Sequence, residues 1–108
     1  MTAALAGIRV IECGHFIAGP RTSQLLADHG ADVVKVEPLT GDPSRRADPL
    51  WHGHSLYFFS HNRAKRSLAV NLKHPEGMAV FRRLVACADA FITNYSPEAI
   101  EKLGVGHS

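Results

Sequence analysis

The sequence predicts an α/β fold, built as an open parallel sheet with flanking helices. Short apolar runs alternate along the chain with segments in which apolar residues recur at helical spacing. A polar corner marked by glycine or proline follows each apolar run at once, and these corners are residues 13–20, 37–43, 71–75 and 94–97. Because ligands bind at the carboxyl ends of the strands in such a sheet, the pattern predicts the first half of a nucleotide-type domain.

The first strand, the first helix and the second strand follow from local patterns. Residues 8–12 form a short apolar run and are predicted as the first strand. The first helix is predicted to begin near Pro20, since a proline in the first turn loses no hydrogen bond. Gly30 is a natural helix end, and residues 32–37 are predicted as the second strand.

Residues 38–55 interrupt this alternation. They are rich in Gly, Pro, Asp, Arg and His without a period, which is typical of a functional lid or a disordered loop. Residues 67–72 are then predicted as the third strand, and residues 75–87 carry the apolar stripe of a second helix. Residues 90–93 are predicted as the fourth strand, and Ser96 is the predicted N-cap of a last short helix.

Composition excludes several classes of function. The net charge of the 108 residues is only +2, too small to indicate nucleic-acid binding, and no apolar run is long enough to predict a membrane span. The first residues do not resemble a secretory signal. The two cysteines show no spacing pattern and are predicted to be free thiols in a reducing cytosol, so a cytoplasmic location is expected.

Phosphate-loop and metal motifs are both missing from the sequence. Residues 14–19 match neither the dinucleotide fingerprint nor the Walker loop. A helix start there can still hold an anion or a thioester oxygen, and a purely structural turn is an equally good interpretation. His52, His54 and His61 have the wrong spacing for a metal site, so no metal is predicted.

The basic residues fall into two groups, those that follow a predicted strand and those that precede one. Lys73 follows the third strand and Lys102 lies in the helix after the fourth, so both are candidates for binding a phosphate-bearing ligand; exposed lysines without a ligand are the simpler alternative. Arg63, Lys65 and Arg66 precede the third strand and are predicted to lie near the opposite end of the sheet.

Several short segments, in this order, resemble the N-terminal part of the family III coenzyme A transferases. The segments are residues 5–12, Ala18-Gly19-Pro20, residues 26–37, Gly41-Asp42, residues 65–68, residues 72–77 and Asn94-Tyr95. The resemblance covers nearly the whole chain and implies that residues 1–108 are the N-terminal part of a Rossmann-like, CoA-binding large domain. It also implies a homodimer, or association with the remainder of the enzyme, and a small domain that lies outside this chain.

By position, the resemblance implies a set of CoA-binding residues at the same corners. They are Ile17, Ala18, Pro38, Val70, Asn71, Leu72, Lys73, Asn94, Tyr95, Ser96 and Lys102. None of the acidic residues matches the family's catalytic carboxylate, so no catalytic residue is assigned and the chain alone is expected to be inactive.

The resulting hypothesis is the CoA-binding N-terminal portion of an acyl-CoA:carboxylate CoA-transferase. Its substrates would be an acyl-CoA and a carboxylic acid acceptor, with coenzyme A as part of substrate and product and no metal. Two alternatives stay open at this point: the N-terminal portion of an α-methylacyl-CoA racemase, and a non-catalytic CoA-binding or interaction module.

Overall fold

A four-stranded parallel sheet organises the computed structural model, which describes residues 3–104. Along the chain the elements are β1 (Arg9–Cys13), α1 (Ala18–Asp28), β2 (Asp32–Glu37), a 3₁₀ helix (Pro43–Arg46), β3 (Leu50–Trp51), β4 (His54–Ser55), α2 (Leu56–Asn62), β5 (Arg66–Ala69), α3 (Pro75–Ala86), β6 (Ala90–Thr93) and α4 (Pro97–Leu103). The predicted α/β class, with parallel strands and flanking helices, is confirmed.

The strand order of the sheet is β5-β2-β1-β6, with every pair parallel. The chain adds β2 and then β5 on one side of β1, and returns through α3 to place β6 on the other side. The order therefore reverses between β1 and β6, which is the topological switch point of a doubly wound fold. Residues Glu12, Lys35 and Ser67 lie side by side in register across three strands.

The two faces of the sheet bury different apolar clusters. On one face, Val10, Ala31 and Val33 pack with Leu26 of α1. On the other face, Phe81 of α3 is fully buried against strand residues of β1 and β2, which include Ile11, Cys13 and Val36. Phe81 also meets the ring of Phe91 edge-on, with 5.9 Å between ring centroids.

Caps mark the starts of three helices and the end of α4. The side chains of Ser55, His74 and Ser96 accept hydrogen bonds from backbone N–H groups at the starts of α2, α3 and α4. Gly104 ends α4 in the left-handed conformation that glycine adopts without strain. Among residues 3–104, no helix is both long and apolar enough to cross a bilayer.

The segment between β2 and β5 contains regular elements, so the alternative of a disordered loop over residues 38–55 is wrong. It contains the 3₁₀ helix, the short antiparallel pair β3–β4, and α2. The polar side chains of Ser44, Ser55 and Asn62 are buried there and hydrogen-bonded. These buried hydrogen bonds hold the segment, so it lacks the apolar periodicity by which a helix is predicted from sequence. The third strand of the main sheet is also shorter than predicted, because β5 ends at Ala69.

Candidate functional site

A cavity of about 330 Å³ opens at the carboxyl ends of the strands. Its size falls at the lower end of the range for small-molecule sites. Corners after β2 and β5 form two of its sides, and residues of the neighbouring strand ends complete it. The lining residues of this strand-end cavity are Cys13, Val36, Glu37, Pro38, Leu39, Thr40, Val70, Asn71, Leu72, Lys73 and Tyr95.

Six predicted site residues come together in this cavity. Pro38 comes from the corner after β2, Tyr95 from the corner after β6, and the other four are consecutive residues that follow β5: Val70, Asn71, Leu72 and Lys73. The Asn71 side chain holds its own corner, because its Oδ1 accepts a hydrogen bond of 3.0 Å from the Lys73 N–H. Corners that are far apart in sequence thus share one cavity.

The other five predicted residues lie outside the cavity lining. Ile17 and Ala18 are exposed at the start of α1, and Ser96 accepts a hydrogen bond from the Ala99 N–H as the N-cap of α4. Lys102 is exposed in the last turn of α4. Contact of these residues with CoA stays a prediction.

Asn94, the fifth, lies at the switch point between the ends of β1 and β6. Its Oδ1 accepts a hydrogen bond of 3.1 Å from the His15 N–H, and its Nδ2 donates one of 2.8 Å to the His15 carbonyl. A Cβ at Gly14 would come within 2.7 Å of Asn94 Oδ1, so a side chain there would displace the Asn94 amide. Asn94 therefore joins the loops after β1 and β6, while most of the cavity lining comes from the corners after β2 and β5.

Cys13 and Tyr95 give the strand-end cavity an uncharged inner surface. Burial raises the pKa of the Cys13 thiol, although a hydrogen bond from the Tyr95 side chain acts in the opposite direction. Burial and the neighbouring thiol raise the pKa of Tyr95 as well. Both groups therefore stay protonated near neutral pH.

Glu37 forms the charged rim of the strand-end cavity and is held by several donors. Arg45 donates from Nε and Nη2 to the two carboxylate oxygens at 2.6 and 2.7 Å, a bidentate pair. The Asp42 N–H and the Ser67 hydroxyl also donate to Glu37. Burial alone would raise the pKa of Glu37, but these hydrogen bonds and the charge of Arg45 outweigh it and lower that pKa to about 2.

This pairing predicts a defined pH dependence of stability. Because the pKa of Glu37 is lower in the folded protein, its contribution is full above the ordinary pKa of 4.5 and is lost as pH falls towards about 2. A difference of that size corresponds to roughly 3 kcal/mol. Urea unfolding between pH 2 and pH 7 should therefore show Glu37→Gln far below the wild type at pH 6, with the gap closing near pH 2.

Glu101→Gln, at an exposed carboxylate of α4, is the matched control for this measurement. It should change the free energy of unfolding little at any of these pH values. A gap for Glu37→Gln that is the same at pH 2 and pH 6 would contradict the prediction.

Beneath the strand-end cavity lies a buried ion cluster of Glu12, Lys35, Asp42 and Lys65. Lys35 Nζ is 3.0 Å from Glu12 Oε2 and 2.9 Å from Asp42 Oδ2, and the contact with Asp42 is an ion pair without hydrogen-bond geometry. Lys65 Nζ donates to Glu12 Oε1 at 2.8 Å. These four side chains are each at most 2% exposed.

The cluster orients a loop carboxylate and corrects one expectation. Asp42 is buried, which alone would raise its pKa, but hydrogen bonds from Ser44 and the charge of Lys35 outweigh burial and lower that pKa. Lys65 does not lie at the opposite end of the sheet, since its side chain reaches Glu12. Arg63 and Arg66 do lie there, paired with Asp28 and Asp32. The sequence carries one signal of the buried ion cluster. Lys35 lies within the apolar run of β2, although buried parallel strands are normally apolar throughout.

Comparison with known proteins decides the family. Residues 5–108 match the family model of CoA-transferase family III. The chain belongs to CoA-transferase family III.

Similar proteins in this family are named as CoA-transferases. The chain is 47% identical to the succinyl-CoA–L-malate CoA-transferase beta subunit of Chloroflexus aurantiacus, over 97% of this chain and 26% of that protein. It is 45% identical to the succinate–glutarate CoA-transferase of Agrobacterium fabrum, over 95% of this chain and 28% of that protein. The chain thus spans about a quarter of the length of these curated relatives.

The fold is likewise similar to that of a solved family member. A CaiB/BaiF family protein from Brucella suis superposes with a TM-score of 0.91 at 38% identity, over 99% of this chain and 30% of that protein.

Proposed function

We propose that this chain is the CoA-binding N-terminal portion of an acyl-CoA:carboxylate CoA-transferase, part of that enzyme's large domain. The observation that carries the proposal is the strand-end cavity, formed by corners that a doubly wound fold uses for ligands. Family membership and the names of the similar transferases support the acyl-CoA substrate and the carboxylic acid acceptor.

The chemistry of the cavity lining suits the parts of coenzyme A. Leu39, Val70 and Leu72 offer apolar contacts to the pantetheine arm or the adenine ring. Lys73 is exposed at the rim, and no carboxylate of residues 3–104 forms an ion pair with it, so its ammonium is available to a phosphate. The uncharged Cys13 and Tyr95 side chains do not repel the anionic ligand.

The carboxylates near the cavity are not suited to attack a thioester. In covalent CoA transfer, a carboxylate of the enzyme attacks the acyl carbon, forms a mixed anhydride and releases the CoA thiolate. The thiolate then attacks the enzyme's own carbonyl carbon in the anhydride, which releases the donor acid and leaves an enzyme–CoA thioester. The acceptor carboxylate attacks that thioester, and the thiolate returns to the acceptor's acyl carbon, which frees the enzyme carboxylate. Glu37 is locked by Arg45, and Asp42 and Glu12 are ion-paired in the cluster. We therefore expect the chain to supply binding groups, and the nucleophile to come from elsewhere in the enzyme.

Titration of the protein with CoA tests the proposed function, with amide chemical shifts and calorimetry as readouts. Shifts should cluster at residues 38–40 and 70–73. Lys73→Ala should weaken CoA binding about fivefold, or about 1 kcal/mol, because an exposed ammonium contributes only modestly.

Arg83→Ala is the matched control, since it removes an exposed cation from α3 outside the strand-end cavity. It should leave the affinity for CoA unchanged. Equal losses for both variants, or shifts that cluster at residues 63–66, would contradict the proposed site.

A homodimer in the cytoplasm is the second part of the proposal. The strands β5 and β6 are the outer strands of the sheet, and open strand edges favour pairing with further chain. The isolated chain is expected to associate or to be marginally stable. Light scattering after size exclusion at several concentrations measures this, and a monomer with a sharp, concentration-independent melting transition would argue against it.

A further inference from the structure

Lys35 lies beneath two loops and contacts both: the loop after β2, which borders the strand-end cavity, and the loop after β1, which follows the cavity-lining residue Cys13. Its ammonium donates to Gly14 O at 3.1 Å in the loop after β1, and lies 2.9 Å from Asp42 Oδ2 in the loop after β2. We propose that Lys35 is a positioning residue that fixes these two loops relative to each other and so sets the shape of the CoA cavity. This inference rests on the proposed function.

The loop after β1 needs outside support to keep its conformation. Phe16 has a φ of +62°, a left-handed conformation that is strained for a residue other than glycine. The residues before it are held from outside: Gly14 donates to Glu12 Oε2 at 2.8 Å and accepts from Lys35, while Asn94 holds His15. Strained loops persist where the surroundings fix them in this way.

The loop after β2 divides the two oxygens of one carboxylate between two tasks. Asp42 Oδ1 accepts hydrogen bonds from the Ser44 N–H at 2.8 Å and from its hydroxyl at 2.9 Å, which starts the 3₁₀ helix. Asp42 Oδ2 makes no such local bond and faces Lys35. One oxygen therefore shapes the loop, and the other attaches it to the sheet.

Lys35 connects three parts of the structure. Its ammonium donates hydrogen bonds to Glu12 in the sheet and to Gly14 O in one loop, and its charge is paired with Asp42 in the other loop. A buried ion pair is no more stabilising than apolar side chains of the same volume. An apolar residue would fill the space, but it could not connect the two loops, so the connection is what the lysine provides.

A double-mutant cycle on the protein tests this inference. The variants are Lys35→Met, Asp42→Asn and the double variant. CoA affinity is measured by calorimetry at a temperature where urea unfolding shows each variant folded. Each single variant should weaken CoA binding at least tenfold, and the double variant should be no weaker than Lys35→Met, because the same connection is lost. Arg63→Gln, which breaks an exposed ion pair with Asp28, is the control and should leave the affinity unchanged.

Each outcome decides between positioning and a merely structural role. Lower stability with unchanged CoA affinity, or losses that add in the double variant, would overturn the inference. If Lys35→Met does not fold, Asp42→Asn decides alone, since it keeps the side-chain volume and an acceptor for Ser44.

If the wild type binds no CoA, the proposed function fails. Amide shifts of free Asp42→Asn then test the connection separately: changes at both residues 14–18 and 38–42 support it, and changes confined to the second loop overturn it.

Discussion

Phe81→Ala is expected to lower the free energy of unfolding by about 3–5 kcal/mol, because it leaves a cavity where a fully buried ring stood. Phe81 connects α3 to the sheet through Ile11, Cys13 and Val36, and it also contacts Phe91. Unfolding in urea, followed by circular dichroism, measures the loss.

Val80→Ala is the control for Phe81→Ala, because it shortens the neighbouring side chain on the exposed side of the same helix. We expect a change of less than about 1 kcal/mol, as for most surface substitutions. If the two variants lost equal stability, the face that α3 presents to the sheet would be wrongly assigned.

Glu12→Gln should also cost about 3–5 kcal/mol, since removing one member of a buried ion pair leaves its partner uncompensated. Glu12 is 0% exposed and is shared by Lys35 and Lys65, so the neutral amide leaves two buried ammonium groups without their common counter-charge. The free energy of unfolding at pH 7 is the quantity to measure.

Asp28→Asn provides the comparison for Glu12→Gln. It removes the same charge from an ion pair with Arg63 in which both side chains are partly exposed, and it should cost less than about 1 kcal/mol. A loss of less than about 1 kcal/mol for Glu12→Gln would show that water reaches the cluster and solvates its charged groups.

The sequence predicts the regular parts of the fold because their causes are local. Four apolar runs give the four strands of the sheet, and the cap residues Ser96 and Gly104 mark where α4 begins and ends. The helix α2 was not predicted, since its buried Asn62 is satisfied by Phe58 O and Lys65, contacts that no periodicity reveals. Order in that segment comes from tertiary contacts.

The sequence predicted which strand-end corners form the candidate site, but not the contacts of every side chain in them. Pro38 and the residues after β5 lie where strand-end geometry places them. Asn94 lies at the same edge, but its amide is used by the backbone of His15, which sequence position cannot indicate. The predicted position of Lys65 was wrong because the position of its backbone does not fix where its long side chain ends.

The reach of the cavity to the edge of the sheet has a consequence for assembly. Most of the lining comes from the corners after β2 and the outermost strand β5. Any strand that pairs with the free edge of β5 would run beside residues 70–73 and become a further wall of the ligand chamber. Assembly at that edge and ligand binding would then share one boundary, so that each would stabilise the other.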